Sequence, residues 1–318
     1  MITLTENIQE LEDGFSAVRY EGDDLFDKFL SDGGASSDAE VAAFLRNNIA
    51  GVSDLTLNTA AFGCSTVSAQ NAVGESLFGR NFDWQECNAL VVVSKPASGY
   101  ASISTVNTDF IRTAYSGFNS LPDKAKALVS LYAPLDGMNE KGLCAAVLMI
   151  QDSDTINQST GKDGLTTTTA LRLILNKAAT VKEALELLEG YDMHASFGYM
   201  VHFAIADSGG NSVIVEYIDN EMTVTQTNVA TNFYIAEGEK QGIGSSQSHE
   251  RYEILENTLS QNPTMSMTDM RDALDSVSKD NFNEYESTEW SIVYNQSTGE
   301  AVYYHRENYQ NGYLFAIE

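Results

Sequence analysis

The sequence predicts an α+β protein, and three observations point there. Strand-like and helical runs come in blocks (strands, then helices, strands, helices and strands again) rather than in the strict alternation of a parallel βαβ protein. No internal repeat, low-complexity tract or proline-rich hinge interrupts the 318 residues, which contain only four prolines. Hydrophobic residues make up 43% and charged residues 20%, enough apolar surface for a packed core.

The elements follow in order. Residues 1–63 form an acidic segment with twelve Asp/Glu against three Lys/Arg. Within it, "SSDAEVAAFLRNNI" reads as a helix opened by a capping box, Ser37 with Glu40, with Val41, Phe44, Leu45 and Asn48 at helical spacing. From Cys64 the texture changes to short strands broken by turn residues: "CSTVSAQ", "SLFGRNF", "ALVVVSK" and "YASISTV". "DGMNEKG" reads as a tight turn, where Asn139 serves turn chemistry, and "GLCAAVLMI" as a buried strand. The threonine run 166–169 marks the start of the first of two helices, and Thr180 with Glu183 caps the second. "MVHFAIADSGGNSVIVEY" is a hairpin, followed by the strand "EMTVTQTNVATNFYI". "SHERYEILENTL" and "MTDMRDALDSVSK" are helical, and "EWSIVYNQSTGEAVYYHRE" closes the chain as a hairpin.

Composition excludes several function classes. A net charge of −27 with no Lys/Arg stripe opposes binding to nucleic acid or an anionic membrane surface. No run of eighteen apolar residues supplies a membrane span. The N-terminus lacks the basic and apolar regions of a signal peptide, so a cytoplasmic location is expected. The cysteines, Cys64, Cys87 and Cys144, are odd in number and form no CxxC pair. The four histidines show no HxH or HExxH spacing, so neither a metal nor a cofactor is expected.

Cys64 is the candidate nucleophile. It follows Gly63 among small residues, and a thiol attacks only as thiolate, so it needs a base. All four histidines lie more than 120 residues downstream in ordinary contexts, which leaves a Cys–His pair open but unmarked. The other source is the chain itself. Cleavage of the Gly63–Cys64 bond would give Cys64 a free α-amine, whose pKa of ~7.7–8.0 suits it to take a proton from a thiol of ~8.5. Arg80 and Asp83 stand sixteen and nineteen residues after Cys64, and a hairpin turning at "NAVGES" would bring them back beside it. Asp83 could then hold the amine, while Arg80 lowers the thiol pKa and steers a polar leaving part. Cys87 and Cys144 read as inert core residues.

"GCS", "GRNFDW", "DGMNEKGL", "TNFY" and "SHERYEIL", in that order, resemble the choloylglycine hydrolase family, the linear amide C–N hydrolases. The resemblance covers roughly residues 64–305. It implies a four-layer αββα sandwich of antiparallel sheets, the N-terminal-nucleophile hydrolase fold, with residues 1–63 as a leader and 64–318 as a single catalytic domain. It also implies an amidohydrolase that matures by self-cleavage at Gly63–Cys64, takes a small-molecule N-acyl amide and needs no cofactor. Many members are homo-oligomers, although the surface residues here do not show an assembly. By motif, Cys64 is the nucleophile, Arg80 and Asp83 match the family's G-R-N-x-D segment, and Asn232 helps bind the oxyanion. Arg251 closes the site. Phe82 and Trp84 are candidates for the acyl pocket.

Two departures bear on the substrate. Where bile salt hydrolases carry an asparagine, this chain has Met149, so only a backbone N–H serves the oxyanion at that point. The 63 residues ahead of the cysteine also require internal cleavage. Both favour fatty-acyl, phenoxyacetyl or other N-acyl amides over conjugated bile salts. The alternatives are a bile salt hydrolase, or an uncleaved latent or binding protein of the same fold.

Overall fold

The computed structural model describes residues 1–52, 63–114, 117–282 and 287–317. In chain order the elements are β1 (Gln9–Glu12), β2 (Phe15–Gly22), α1 (Phe26–Ser31), α2 (Asp38–Asn48), β3 (Gly63–Gln70), β4 (Ser76–Trp84), β5 (Ala89–Pro96) and β6 (Ser102–Asn107). Then come α3 (Thr108–Ala114), α4 (Asp123–Ser130), β7 (Asp136–Asn139), β8 (Cys144–Met149), β9 (Gly164–Thr166), α5 (Thr167–Lys177), α6 (Val181–Glu189) and β10 (Asp192–His194). The chain continues through β11 (Val201–Ala206), β12 (Ser212–Ile218), β13 (Glu221–Gln226), β14 (Val229–Ala230), α7 (Ser246–Gln261) and α8 (Met267–Ser276). It ends with β15 (Ser287–Asn295), β16 (Glu300–His305) and β17 (Gly312–Ala316).

Two sheets face each other. One has nine strands in the order β1-β2-β5-β6-β7-β8-β11-β12-β13, the other six in the order β14-β3-β4-β15-β16-β17. β3 packs across onto β8. α5 covers the outside of the larger sheet at β7 and β8, while α7 and α8 cover the smaller one at β3, β4 and β15. This is the expected αββα layering. All pairs within the two sheets are antiparallel except β2 with β5.

Local chemistry explains the boundaries. Ser37 Oγ accepts from Glu40 N at the start of α2, and Thr180 Oγ1 accepts from Glu183 N at the start of α6, as their sequences predict. Thr166 caps α5 in a capping box with Thr169. β5 and β8 of the larger sheet are buried on both faces, which explains why "ALVVVSK" and "GLCAAVLMI" read as continuous apolar runs.

The structure adds three features to the sequence reading. Residues 9–22 form strands, where only the later helix was expected. β2 pairs with β5 in parallel over eight residues, burying Phe15, Ala17, Val18 and Tyr20. Its polar partner β1 and the dense acidic residues around both obscure the strand pattern. "EMTVTQTNVATNFYI" is not one strand. β13 ends at Gln226, and the chain crosses to the other sheet, where β14 pairs with β3. Thr227 Oγ1, which accepts from Val229 N, fixes that crossing. Finally, β17 follows the last hairpin and pairs with β16.

Candidate active site

The site is built on the β3–β4 hairpin, whose register places Gly63 opposite Asp83, Cys64 opposite Phe82 and Thr66 opposite Arg80. Side chains alternate between faces of a strand, so this register divides the motif residues in two. Cys64, Arg80 and Phe82 face the larger sheet. Asn81 and Asp83 face the helical layer, where Asn81 Nδ2 donates to Leu274 O of α8 at 2.8 Å.

On the inter-sheet face, Cys64 Sγ lies 3.8 Å from Val147 O of β8, and Arg80 Nη2 donates to the same oxygen at 3.1 Å. Arg80 Nε donates to Asp136 Oδ2 at 2.8 Å, both side chains being fully buried. Asp136 also accepts from Trp290 Nε1 (2.9 Å) and from the Tyr294 hydroxyl (3.2 Å). Phe82 stacks on Trp290 with ring centroids 3.9 Å apart, and the Arg80 guanidinium lies 5.4 Å from the Phe82 centroid. Burial pushes the Cys64 thiol up, and the neighbouring Arg80 and Arg251 guanidinium groups pull it back only in part.

On the helical face, one network holds the backbone of Cys64. Its N–H donates to Asn232 Oδ1 at 2.7 Å, and its carbonyl accepts from Arg251 Nη1 at 3.2 Å. Asn232 Oδ1 also accepts from Arg251 Nη2 (2.8 Å), while its Nδ2 donates to Met149 O (2.6 Å). Arg251 closes the ring by an ion pair to Asp83 Oδ2 at 2.6 Å, and Asp83 Oδ1 accepts from Thr288 Oγ1 at 2.7 Å. Two arginines and two aspartates thus form two buried ion pairs, one on each face of the hairpin. Burying them without partners would cost several kcal/mol per ion.

Gly63 sits where a side chain would crowd. A Cβ there would lie 3.1 Å from Lys279 Cε and 3.2 Å from Asp83 Oδ2. Glycine ahead of the cysteine thus answers a close approach of the Lys279 and Asp83 side chains. Residues 53–62, the rest of the segment leading into it, lie outside the described residues.

The structure therefore brings Cys64, Arg80, Asp83, Asn232, Arg251 and Met149 together. Asp83 meets Cys64 through Arg251 rather than directly. Met149 contributes its carbonyl, which Asn232 holds. Phe82 is enclosed by its stacking, whereas Trp84, at 5% exposure, meets Phe110 edge-on at 5.4 Å and Phe110 meets Phe197 at 5.1 Å. Each histidine is engaged elsewhere: His194 with Asn157, His202 with Glu216 and Thr231 O, His249 with Gly242 O, and His305 with Glu12. Cys87 and Cys144 are buried with thiols pushed up chiefly by desolvation. Among the described residues, no group of three His, Cys, Asp or Glu side chains could hold a metal ion. No helix there is long and apolar enough to cross a membrane.

Sequence reasoning missed Asp136, Trp290 and Thr288. Asp136 opens the quoted "DGMNEKGL", and the turn reading of that motif hid a buried carboxylate at its head. Asn139 likewise does more than shape a turn: its Nδ2 donates to Leu175 O and Ala178 O, tying β7 to the end of α5.

Comparison with known proteins agrees with this fold. Residues 64–234 match the model of the linear amide C–N hydrolases, choloylglycine hydrolase family. A penicillin V acylase from Pectobacterium atrosepticum is 33% identical over 103 residues, which span 28% of this chain and 26% of that relative. Among solved structures, a mutant conjugated bile acid hydrolase from Clostridium perfringens superposes with a TM-score of 0.59 at 17% identity, covering 80% of this chain and 92% of the other. Penicillin V acylase from Agrobacterium tumefaciens gives 0.55 at 20% identity, covering 79% and 85%. At these identities the superpositions establish the shared fold. The sequence match spans more than half of this chain, from the candidate nucleophile through Asn232, and on that ground the chain belongs to the choloylglycine hydrolase family of linear amide C–N hydrolases.

Proposed function

We propose that this protein is a self-maturing amidohydrolase. It cleaves its own Gly63–Cys64 bond and then hydrolyses linear N-acyl amides through an acyl-enzyme on Cys64. The observation that carries this reading is the enclosure of Cys64, with its nitrogen, carbonyl and sulfur each held in a separate contact and no histidine among them. Freed as an α-amine, the Cys64 nitrogen is the base nearest its own thiol. The thiolate adds to the substrate carbonyl, and the Asn232 Nδ2 group and the backbone N–H at Met149 donate to the oxyanion. The amine departs with the proton taken from sulfur, and water then deacylates Cys64. Arg80 stabilises the thiolate, and Asp83 acts through Arg251 to hold Asn232 and the Cys64 backbone.

The substrate is a small-molecule amide with an apolar acyl group, fatty-acyl or phenoxyacetyl before steroid-acyl, and Trp84, with Phe110 and Phe197 behind it, lines the acyl side. Residues 64–318 are the catalytic body. The leader stays with it as a non-covalent subunit, because β2 is an interior strand of the larger sheet and Phe26, Phe29, Val41 and Leu45 are buried in its core. Hydrolysis assays with purified protein against phenoxyacetyl, fatty-acyl and glycine-conjugated steroid amides test the reading, with Cys64→Ala as the blank. Turnover of the first two classes is expected. Turnover of the steroid conjugate alone would make the protein a bile salt hydrolase, and turnover of none would favour a latent protein of this fold.

A further inference from the structure

Lys279 lies just beyond α8, and the fold encloses it to 6% exposure. Its position is held at both ends. The backbone N–H donates to Thr288 Oγ1 at 3.0 Å, and that hydroxyl donates in turn to Asp83 Oδ1. At the tip, Nζ donates to Gln247 Oε1 of α7 at 2.8 Å. Between these anchors the side chain passes directly over Gly63, since a Cβ on that residue would stand only 3.1 Å from Lys279 Cε. The neighbouring carboxylate, Asp83, is ion-paired with Arg251 at 2.6 Å. A lysine ammonium is therefore fixed one bond beyond the carbon that crowds the space a Gly63 side chain would take, at the cleavage bond.

The geometry points to Lys279 as the cationic residue of the self-cleavage step, stabilising the negative charge that forms on the Gly63 acyl unit. This rests on the cleavage reading above. In that step Cys64 Sγ bonds to the Gly63 carbonyl carbon, its proton passes to the Cys64 nitrogen, and the Gly63–Cys64 C–N bond breaks to leave a thioester. Water then hydrolyses the thioester, the sulfur recovers a proton, and Gly63 ends as a carboxylate with one proton released to solvent. Negative charge appears on the Gly63 oxygen during addition and stays on its carboxylate at the end. A fixed cation in a site shielded from water acts on both, without reorganisation during the reaction. Gln247 matters because it holds the ammonium in place from α7.

The test follows appearance of the 64–318 fragment by intact mass in freshly synthesised full-length protein. It compares wild type with Lys279→Met, Lys279→Gln and Lys279→Arg, with thermal melting as a check on folding. The two charge-free variants are expected to cleave slower by on the order of 100-fold, and Lys279→Arg to stay within about ten-fold of wild type. Either charge-free variant, folded and cleaving at the wild-type rate, overturns the proposal. Equal slowing in all three variants with matched melting overturns it too, because that result assigns Lys279 a packing role. If both charge-free variants fail to fold, the Lys279→Arg rate decides, and a loss of 100-fold there counts against the charge. Wild type that never cleaves overturns the cleavage reading and this proposal together, whereas cleaving wild type with unaffected variants overturns this proposal alone.

Discussion

Asn232 Oδ1 accepts from both the Cys64 N–H and Arg251 Nη2, while its Nδ2 holds Met149 O. Replacing this one residue by alanine strands three buried polar groups at once. Each unsatisfied group costs about 1–3 kcal/mol, so Asn232→Ala is expected to lower stability by several kcal/mol and to reduce amidase turnover on the order of 100-fold or more. Denaturant unfolding and single-turnover kinetics read the two effects separately. A variant with full turnover would show that Asn232 only braces the strand. Arg80 gives a second residue-scale expectation. Its partner Asp136 is fully buried, and breaking such a pair from one side costs about 3–5 kcal/mol. Arg80→Leu should therefore melt far below wild type, and an unchanged melting temperature would contradict the ion pair. Arg80, Asp83, Asn232 and Arg251 were legible because each sits inside a short motif of chemically distinctive residues. Asp136 was not legible in the same way. Its role depends on the β6–β7–β8 pairing that brings it under Arg80, and no local spacing encodes that contact.

Among the elements, α2 shows how residues 1–52 reach the rest of the fold. Asp38 at its first turn accepts from Phe197 N at 2.6 Å, and Phe197 stands at φ 59 in the kinked turn that carries it toward Phe110. Asp38 is half-buried, and its carboxylate faces the Phe197 N–H and the Ser196 hydroxyl. Desolvation raises its pKa to about 6, against the Phe197 N–H and Ser196 hydroxyl contacts that lower it. The folded state therefore binds this proton more tightly than the unfolded chain does. Stability from this group is full below about pH 4 and falls as pH rises toward 6, where the charged form takes over. Asp38→Asn should accordingly gain about 1–2 kcal/mol at pH 7–8 and nothing near pH 4. Chemical denaturation at the two pH values checks the sign, and equal effects at both would contradict it. The helix α2 itself was readable from its capping box and apolar spacing. The strand β2 was not, because the adjacent buried pair Ala17 and Val18 breaks its alternation and the acidic residues around it resemble a solvated segment.

At the scale of the whole molecule, the fold joins residues 1–52 to the body through a sheet, a core and several cross-links. Ile2 N donates to Leu314 O, His305 and Asn311 bind Glu12, and the Tyr132 hydroxyl donates to Asp24 O. Burying a large apolar side chain contributes about 1.5–3 kcal/mol, and Phe15, Phe26, Phe29, Val41 and Leu45 all belong to that interface. After cleavage the leader should co-elute with the body in native gel filtration and separate only in denaturant; free leader under native conditions would contradict this subunit role. The layered αββα architecture was legible from the grouped strands and helices together with the ordered motifs. The membership of β2 in the larger sheet was not, since it depends on a parallel pairing between segments about seventy residues apart. The most direct measurement is the intact mass of purified wild type beside Cys64→Ala. The account predicts that wild type splits into a fragment ending at Gly63 and one beginning at Cys64, while the variant stays whole. Wild type recovered at full length, or a variant that splits at the same bond, would contradict it.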